Sequence, residues 1–358
     1  MARYSIEDVR SRIARLPRVE LIHRPTPLRK LERLTKALDG PEIFIKRDDL
    51  TGLAFGGNKS RKLEFIIRDA LDKRCDTVIT WGSLQSNWCL QTAAAAAKCG
   101  IKTVLLLYRS YDLPPGYDGN MLLERILGTE MRILDPPARG KVVKLADTVA
   151  LMNEIADEQR RQGRKPYVVP VGGSMAAGDM DRPLGAVSYV DAFAEMLEQT
   201  NALGFVPDAV IHATGSGGTQ AGLLVGAKAM TDACRIVGIS VSDDKDTFAG
   251  YVADIAGAVH QVLDLGPAPV REDIIVLDDY MKDGYGIVNQ EVADVLRFFF
   301  ATEGIVLDPV YTAKAMIGLV DLARKGYFKA GERVVFFHTG GTPALFPNRE
   351  KLIELVGP

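Results

Sequence analysis

No stretch of this chain holds the ~18 consecutive apolar residues that a membrane-crossing helix needs, although 47% of its 358 residues are hydrophobic. The N-terminal segment MARYSIEDVRSRIARLPRVEL scatters its charges and has no apolar core of signal-peptide length. A cytoplasmic protein without membrane contact is the expectation. Cysteine is scarce: Cys75, Cys89, Cys99 and Cys234 form no CxxC pair and no zinc spacing, which argues against a disulfide framework and for a reducing compartment. The four histidines (His23, His212, His260, His338) are scattered, so no metal site is expected. Neither charge dominates, with 44 basic against 46 acidic residues and a net charge of -2. That balance gives no electrostatic footprint for nucleic acid, and the basic cluster Arg160 to Lys165 reads as the polar end of one helix. There is no internal repeat and no low-complexity linker; DLPPGYDG (112–119) is the most turn-rich segment.

The length suggests about two domains at roughly 150 residues each. Continuous apolar runs rich in β-branched residues predict strands at 43–46, 77–81, 103–108, 131–134, 167–171, 209–213, 236–241, 274–277 and 334–338. Such runs suit strands covered on both faces. Helical periodicity predicts helices at 61–73, 87–99, 119–127, 144–162, 185–200, 218–230, 289–303 and 311–325. This alternation predicts an α/β fold with largely parallel sheets, and several strands end in glycine-rich turns, where ligand crevices of such sheets lie.

One lysine stands apart. In GGNKSRKLEF (56–65), Lys59 follows two glycines and an asparagine and enters an amphipathic helix. Glycines admit a flat or anionic ligand close to the backbone, and the positive helix start favours the neutral amine. Lys59 is therefore a candidate Schiff-base nucleophile, whereas Lys62 reads as a solvated helix lysine. The near match to a phosphate-binding GxxxxGK[ST] loop fails, because Asn58 stands between Gly57 and Lys59. A second segment, Thr214-Gly215-Ser216-Gly217-Gly218-Thr219, joins a strand to a helix and offers N–H and O–H donors to a phosphate. It lacks the third glycine of a dinucleotide fingerprint, and a compact monophosphate fits better. Ser86 and Asn87 open another helix, as plain N-caps or as holders of a substrate carboxylate. Tyr285, between two glycines, and Tyr311, in LDPVYT (307–312), are either packing residues or walls of a cavity.

Together these segments resemble the pyridoxal-phosphate enzymes of the tryptophan-synthase-β fold type, in the branch of 1-aminocyclopropane-1-carboxylate (ACC) deaminase and D-cysteine desulfhydrase. The likeness runs from about Arg18 to Phe346 through PTPL (25–28), KRDDLT (46–51), FGGNKSRKLEF, QSN, VGGS, GSGGTQAG, GYG, LDPVYT and HTGGTPALF. It implies two open, twisted, mostly parallel sheets flanked by helices, with residues 60–175 forming a small domain inserted into a large one made of 1–59 and 176–358. It also implies a homodimer. In this resemblance Lys59 carries the cofactor as a Schiff base and moves the Cα proton, and Asn87 bonds the cofactor's ring oxygen. Thr214, Gly215, Ser216, Gly217, Gly218 and Thr219 hold its phosphate. Ser86 with Asn87 and Trp88 meets the substrate carboxylate, and Tyr285 and Tyr311 flank the substrate.

Thr312 discriminates within the branch. ACC deaminases carry a glutamate there, facing the pyridine nitrogen, whereas a hydroxyl leaves that nitrogen neutral and suits β-elimination of a good leaving group. The expectation is α,β-elimination from a small amino acid, nominally D-cysteine to pyruvate, ammonia and hydrogen sulfide. The alternatives are elimination from cysteate, β-chloroalanine or serine, ACC deamination, and a cofactor-binding protein without catalysis. One departure from the family is local: histidine or glutamine usually follows QSN, with an arginine two residues later, and this chain has Trp88, Cys89 and Leu90.

Overall fold

Apolar side chains on both faces of a strand demand cover on both faces, and the fold supplies it. A computed structural model describes residues 4–114, 116–137, 143–231 and 233–357. Its strands are β1 (Leu28–Lys30), β2 (Glu42–Arg47), β3 (Thr77–Ser83), β4 (Lys102–Tyr108), β5 (Glu130–Leu134), β6 (Pro166–Val168), β7 (Ala209–Thr214), β8 (Arg235–Ser240), β9 (Ile275–Leu277) and β10 (Arg333–His338). They form a six-stranded sheet of order β1-β2-β10-β7-β8-β9 and a four-stranded sheet of order β5-β4-β3-β6. All pairings are parallel except β1 with β2. The four-stranded sheet comes wholly from the middle of the chain, and the larger sheet takes strands from both sides of it.

The helices are α1 (Ile6–Ile13), α2 (Glu32–Leu38), α3 (Asn58–Asp72), α4 (Asn87–Lys98), α5 (Gly119–Ile126), α6 (Leu145–Arg161), α7 (Leu184–Ala202), α8 (Gly218–Met230), α9 (Lys245–Leu263), α10 (Gln290–Glu303), α11 (Thr312–Arg324) and α12 (Arg349–Val356). Strand alternation sorts the core into layers. Val334 and Phe336 of β10 join Ile43, Ile45, Ile211 and Val237 beneath α10 and α11. Val335 and Phe337 face the other way and join Phe44, Val210 and Ile236 in a cluster that also takes Val78, Leu105 and Leu107 of the smaller sheet. That central cluster contains α3, α4, α7 and α8, so one helical layer serves both sheets. Trp81, Leu106 and Tyr108 pack beneath α6 on the far side.

All nine expected strands and all eight expected helices are present, with ends shifted by a few residues. The strand expected through Val171 stops at Val168, since Pro170 cannot donate to a ladder and Gly172 turns at φ 72°. The expected helix at 61–73 starts three residues earlier, at Asn58. Unanticipated are β1, α1, α2, α9 and α12. The turn-rich segment 112–119 includes Pro115, which lies outside the described residues.

Candidate active site

A parallel strand ends in a loop above its carboxyl edge, and the two sheets aim these loops at one cleft. Its walls include Lys59, from beyond β2, and Gly82 and Ser83, from the end of β3. Gly172 follows β6, Thr214 ends β7 and Gly215 to Gly217 follow it, Tyr285 follows β9, and Thr339 and Gly340 follow β10.

Gly57, with φ 133°, turns the chain into α3 and leaves room where a Cβ would meet Gln91 Nε2 at 2.6 Å. Lys59 Nζ donates to Asn58 Oδ1 at 3.0 Å and lies 6.0 Å from the centre of the Tyr311 ring. Burial holds its ammonium down at about 8, against the opposing pull of the Asp308 carboxylate. Desolvation, more than the helix start, is thus what favours the neutral amine. The neighbouring lysine overturns an expectation: Lys62 is not solvated but fully buried, and its Nζ has no hydrogen-bond partner. Burial first, then the positive charge of Lys59, pushes it well below the ordinary lysine range. It shares a helical face with Lys59 three positions back.

At the start of α8, Gly217 adopts φ 76° and the first N–H groups lack intrahelical acceptors. Ser216 Oγ meets Ser174 Oγ at 2.9 Å, which braces the loop against the turn after β6. A Cβ on Gly218 would stand 2.5 Å from Ser174 Oγ. Thr219 Oγ1 accepts from Asn58 Nδ2 at 3.2 Å, while Thr214 Oγ1 is buried without a partner. Unused donors at a glycine cradle are the chemistry an anionic phosphate requires, and the unpaired Lys62 amine is within electrostatic reach of His212, two residues before Thr214 on β7. The residues fit the phosphate of pyridoxal phosphate, and Lys59 fits its aldehyde.

Across the cleft, Ser86 caps α4 through Cys89 N at 3.2 Å and still lines the cavity. Asn87 Oδ1 accepts from Asn120 Nδ2 at 2.9 Å, which leaves the Asn87 amide nitrogen for the cleft. Trp88 is a wall rather than a donor, because its Nε1 is committed to Thr80 Oγ1 at 2.8 Å. Leu90 is buried. Tyr285 and Tyr311 meet hydroxyl to hydroxyl at 2.6 Å, and Ser83 Oγ is 3.3 Å from Tyr285. Burial raises both phenols above their ordinary value, so both keep their protons at neutral pH.

Of the expected site residues, Gly218 and Thr312 do not line the cleft. Thr312 Oγ1 accepts from Asp308 N at 2.7 Å and donates to Asp308 Oδ1 at 2.7 Å. Asp308 also accepts from the N–H groups of Val310, Tyr311 and Thr312. Sequence reasoning missed Asn58, which links Lys59 to the α8 loop, along with Lys62 and Asp308. It also missed Tyr111, whose ring packs edge-on to Tyr285 at 5.8 Å, and Lys314, whose Nζ holds the carbonyls of Met281 at 3.0 Å and Gly284 at 2.6 Å beneath Tyr285. The i, i+3 spacing of Lys59 and Lys62 was the available signal for one of these; the others depend on loops folding back.

A family model described as pyridoxal-phosphate dependent enzyme matches residues 19–340. A D-cysteine desulfhydrase of Klebsiella pneumoniae is 42% identical over 93% of this chain and 97% of its own. The crystal structure of an ACC deaminase homologue superposes with a TM-score of 0.86 at 38% identity, covering 97% of this chain and 99% of that one. The crystal structure of a pyridoxal 5'-phosphate-dependent aspartate racemase shares the fold at a TM-score of 0.63 and 15% identity, over 95% of this chain and 96% of that one.

Proposed function

The chain belongs to the pyridoxal-phosphate-dependent enzymes, and from that premise we propose that it is a lyase performing α,β-elimination on a small β-substituted amino acid, nominally D-cysteine. The observation that carries the choice is a missing group: among the described residues no carboxylate lines the cleft, and Lys59 is its one charged wall. Asp308 sits behind, its oxygens taken by three backbone N–H groups and the Thr312 hydroxyl. No acid is therefore placed to hold a proton on the pyridine nitrogen, which ring opening of ACC calls for. The lack of a second cation on the walls also weighs against cysteate, whose leaving group is itself an anion.

When bound, the cofactor supplies an electron sink for negative charge at the substrate's Cα. Lys59 anchors it and then carries the Cα proton on Nζ. The α8 loop and Thr219 hold the phosphate, with Lys62 as counter-charge, and Asn87 Nδ2 holds the ring oxygen. Ser86 and the open end of α4 orient the substrate carboxylate. The C–S bond would break with its electron pair on sulfur, and the Tyr285–Tyr311 pair would hand the departing hydrosulfide a proton to give hydrogen sulfide. We assign these steps to two domains, 60–175 and the remainder, with the cleft between their sheets.

A panel of D- and L-amino acids, scored for pyruvate and 2-oxobutyrate, tests the reading. Pyruvate with sulfide from D-cysteine is expected; 2-oxobutyrate from ACC at a comparable rate would sink it. Borohydride reduction of the holoenzyme should leave its adduct on Lys59.

A further inference from the structure

Glu124 lies in α5 with its side chain wholly buried, and neither carboxyl oxygen has a hydrogen-bond partner. An ionised carboxylate left that way would carry a large desolvation cost that nothing around it offsets. Asn120, four residues earlier on the same face of the helix, is also wholly buried. Its Nδ2 donates to the Gln85 carbonyl at 2.9 Å and to Asn87 Oδ1 at 2.9 Å, and its Oδ1 has no donor. The Gln85 carbonyl can only accept, so the orientation of the Asn120 amide is fixed. That fixes in turn which end of Asn87 faces the cleft. One turn thus holds an acceptor without a donor and an acid without an acceptor.

We infer that Glu124 is held as a neutral carboxylic acid that donates to Asn120 Oδ1, and that it acts as a positioning residue for Asn87 through Asn120. Burial supports this, pushing Glu124 well above the ordinary 4.5 with no other group contributing. Of the elements packed on α5, α4 turns Cys89 toward Glu124, and that thiol is itself held neutral by burial. The short helical segment Thr342–Asn348 packs there too and has no ionisable residue. The second half of the inference rests on the reading of Asn87 as a cofactor contact; the first does not.

The first half is tested on cofactor-free protein. A folded state that keeps this proton where the unfolded chain loses it is the better proton binder, so stability falls as pH rises above the ordinary glutamate range. Denaturant unfolding should show wild type losing stability against Glu124→Gln between about pH 5 and pH 8. The infrared difference between the two at pH 8 should show a protonated carboxyl stretch. Parallel stability profiles, or no such band, would overturn it. For the relay, Glu124→Gln keeps a donor and should bind pyridoxal phosphate as wild type does, whereas Glu124→Leu should bind about tenfold more weakly. Equal binding by all three, with the cofactor-free results intact, would overturn the relay alone. Loss of binding in Glu124→Gln would do the same.

Discussion

Lys59 and Lys62 are three residues apart on neighbouring lines of one helix, yet burial has done different things to them. Lys59 opens on the cleft at about 8, so its neutral, nucleophilic fraction rises steeply through mildly alkaline pH. Pyridoxal phosphate should capture cofactor-free protein at a rate that climbs with pH and levels above about 8, followed by the absorbance of the bound cofactor; Lys59→Ala should show no capture. Lys62 is wholly buried with nothing to bond. Its folded-state value lies below the ordinary one, so the unfolded chain binds the extra proton and stability rises with pH up to the ordinary lysine range. Lys62→Met should flatten that rise and stabilise cofactor-free protein near neutral pH by about 1–3 kcal/mol. If Lys62 is the phosphate's counter-charge, as proposed above, the same change should weaken cofactor binding at least tenfold. A variant that loses stability and keeps affinity would contradict both statements.

At the scale of elements, the start of α8 has no slack. A Cβ on Gly218 would meet Ser174 Oγ at 2.5 Å, displacing the serine that braces Ser216. Gly218→Ala should therefore lower cofactor affinity about tenfold or more, with Ser174→Gly restoring part of it in the double variant, as equilibrium titration would show. Elements with strong local signals were legible. The strands of both sheets stood out because their apolar runs are continuous, and α4 because of its alanines. The 19-residue helix α9 was not, although Phe248, Val252, Ile255, Val259 and Leu263 line its buried face. Gly250, Gly257 and several β-branched residues dilute its propensity, and tertiary packing overrides that. β1 is three residues of Leu-Arg-Lys paired antiparallel at a sheet edge, a pattern no periodicity reveals. The site was legible where motifs carry it. Lys62 was misread because a charged residue in an amphipathic helix normally faces water, and α3 has helices on both sides.

Across the whole molecule, the cleft depends on joints between distant parts of the chain. Arg61 bonds Asp48 at 2.9 Å and Glu195 at 2.8 Å, Lys46 bonds Glu195 at 2.6 Å, and Tyr189 bonds Asp48 at 2.6 Å. Removing one partner strands the other charges, so Glu195→Ala should cost about 3–5 kcal/mol in denaturant unfolding. Bound cofactor touching both sheets should raise the stability of the fold as a unit, by about 2.7 kcal/mol at a hundredfold excess over its dissociation constant. A single cooperative transition that moves upward with added pyridoxal phosphate would show it. Helix α3 is where these joints converge. Lys59 points to the cleft, Arg61 to the Asp48–Glu195 network and Lys62 into the interior, while Glu64 takes the N–H groups of Leu21 and Ile22 and the guanidinium of Arg24. Each residue along the helix turns about 100° from the one before it, so Lys59, Arg61 and Glu64 leave the axis in different directions, and the last two each meet polar partners of their own. The helix can therefore sit at only one rotation, like a key whose teeth are charges, and the aim of the reactive amine is set by residues that never touch the substrate.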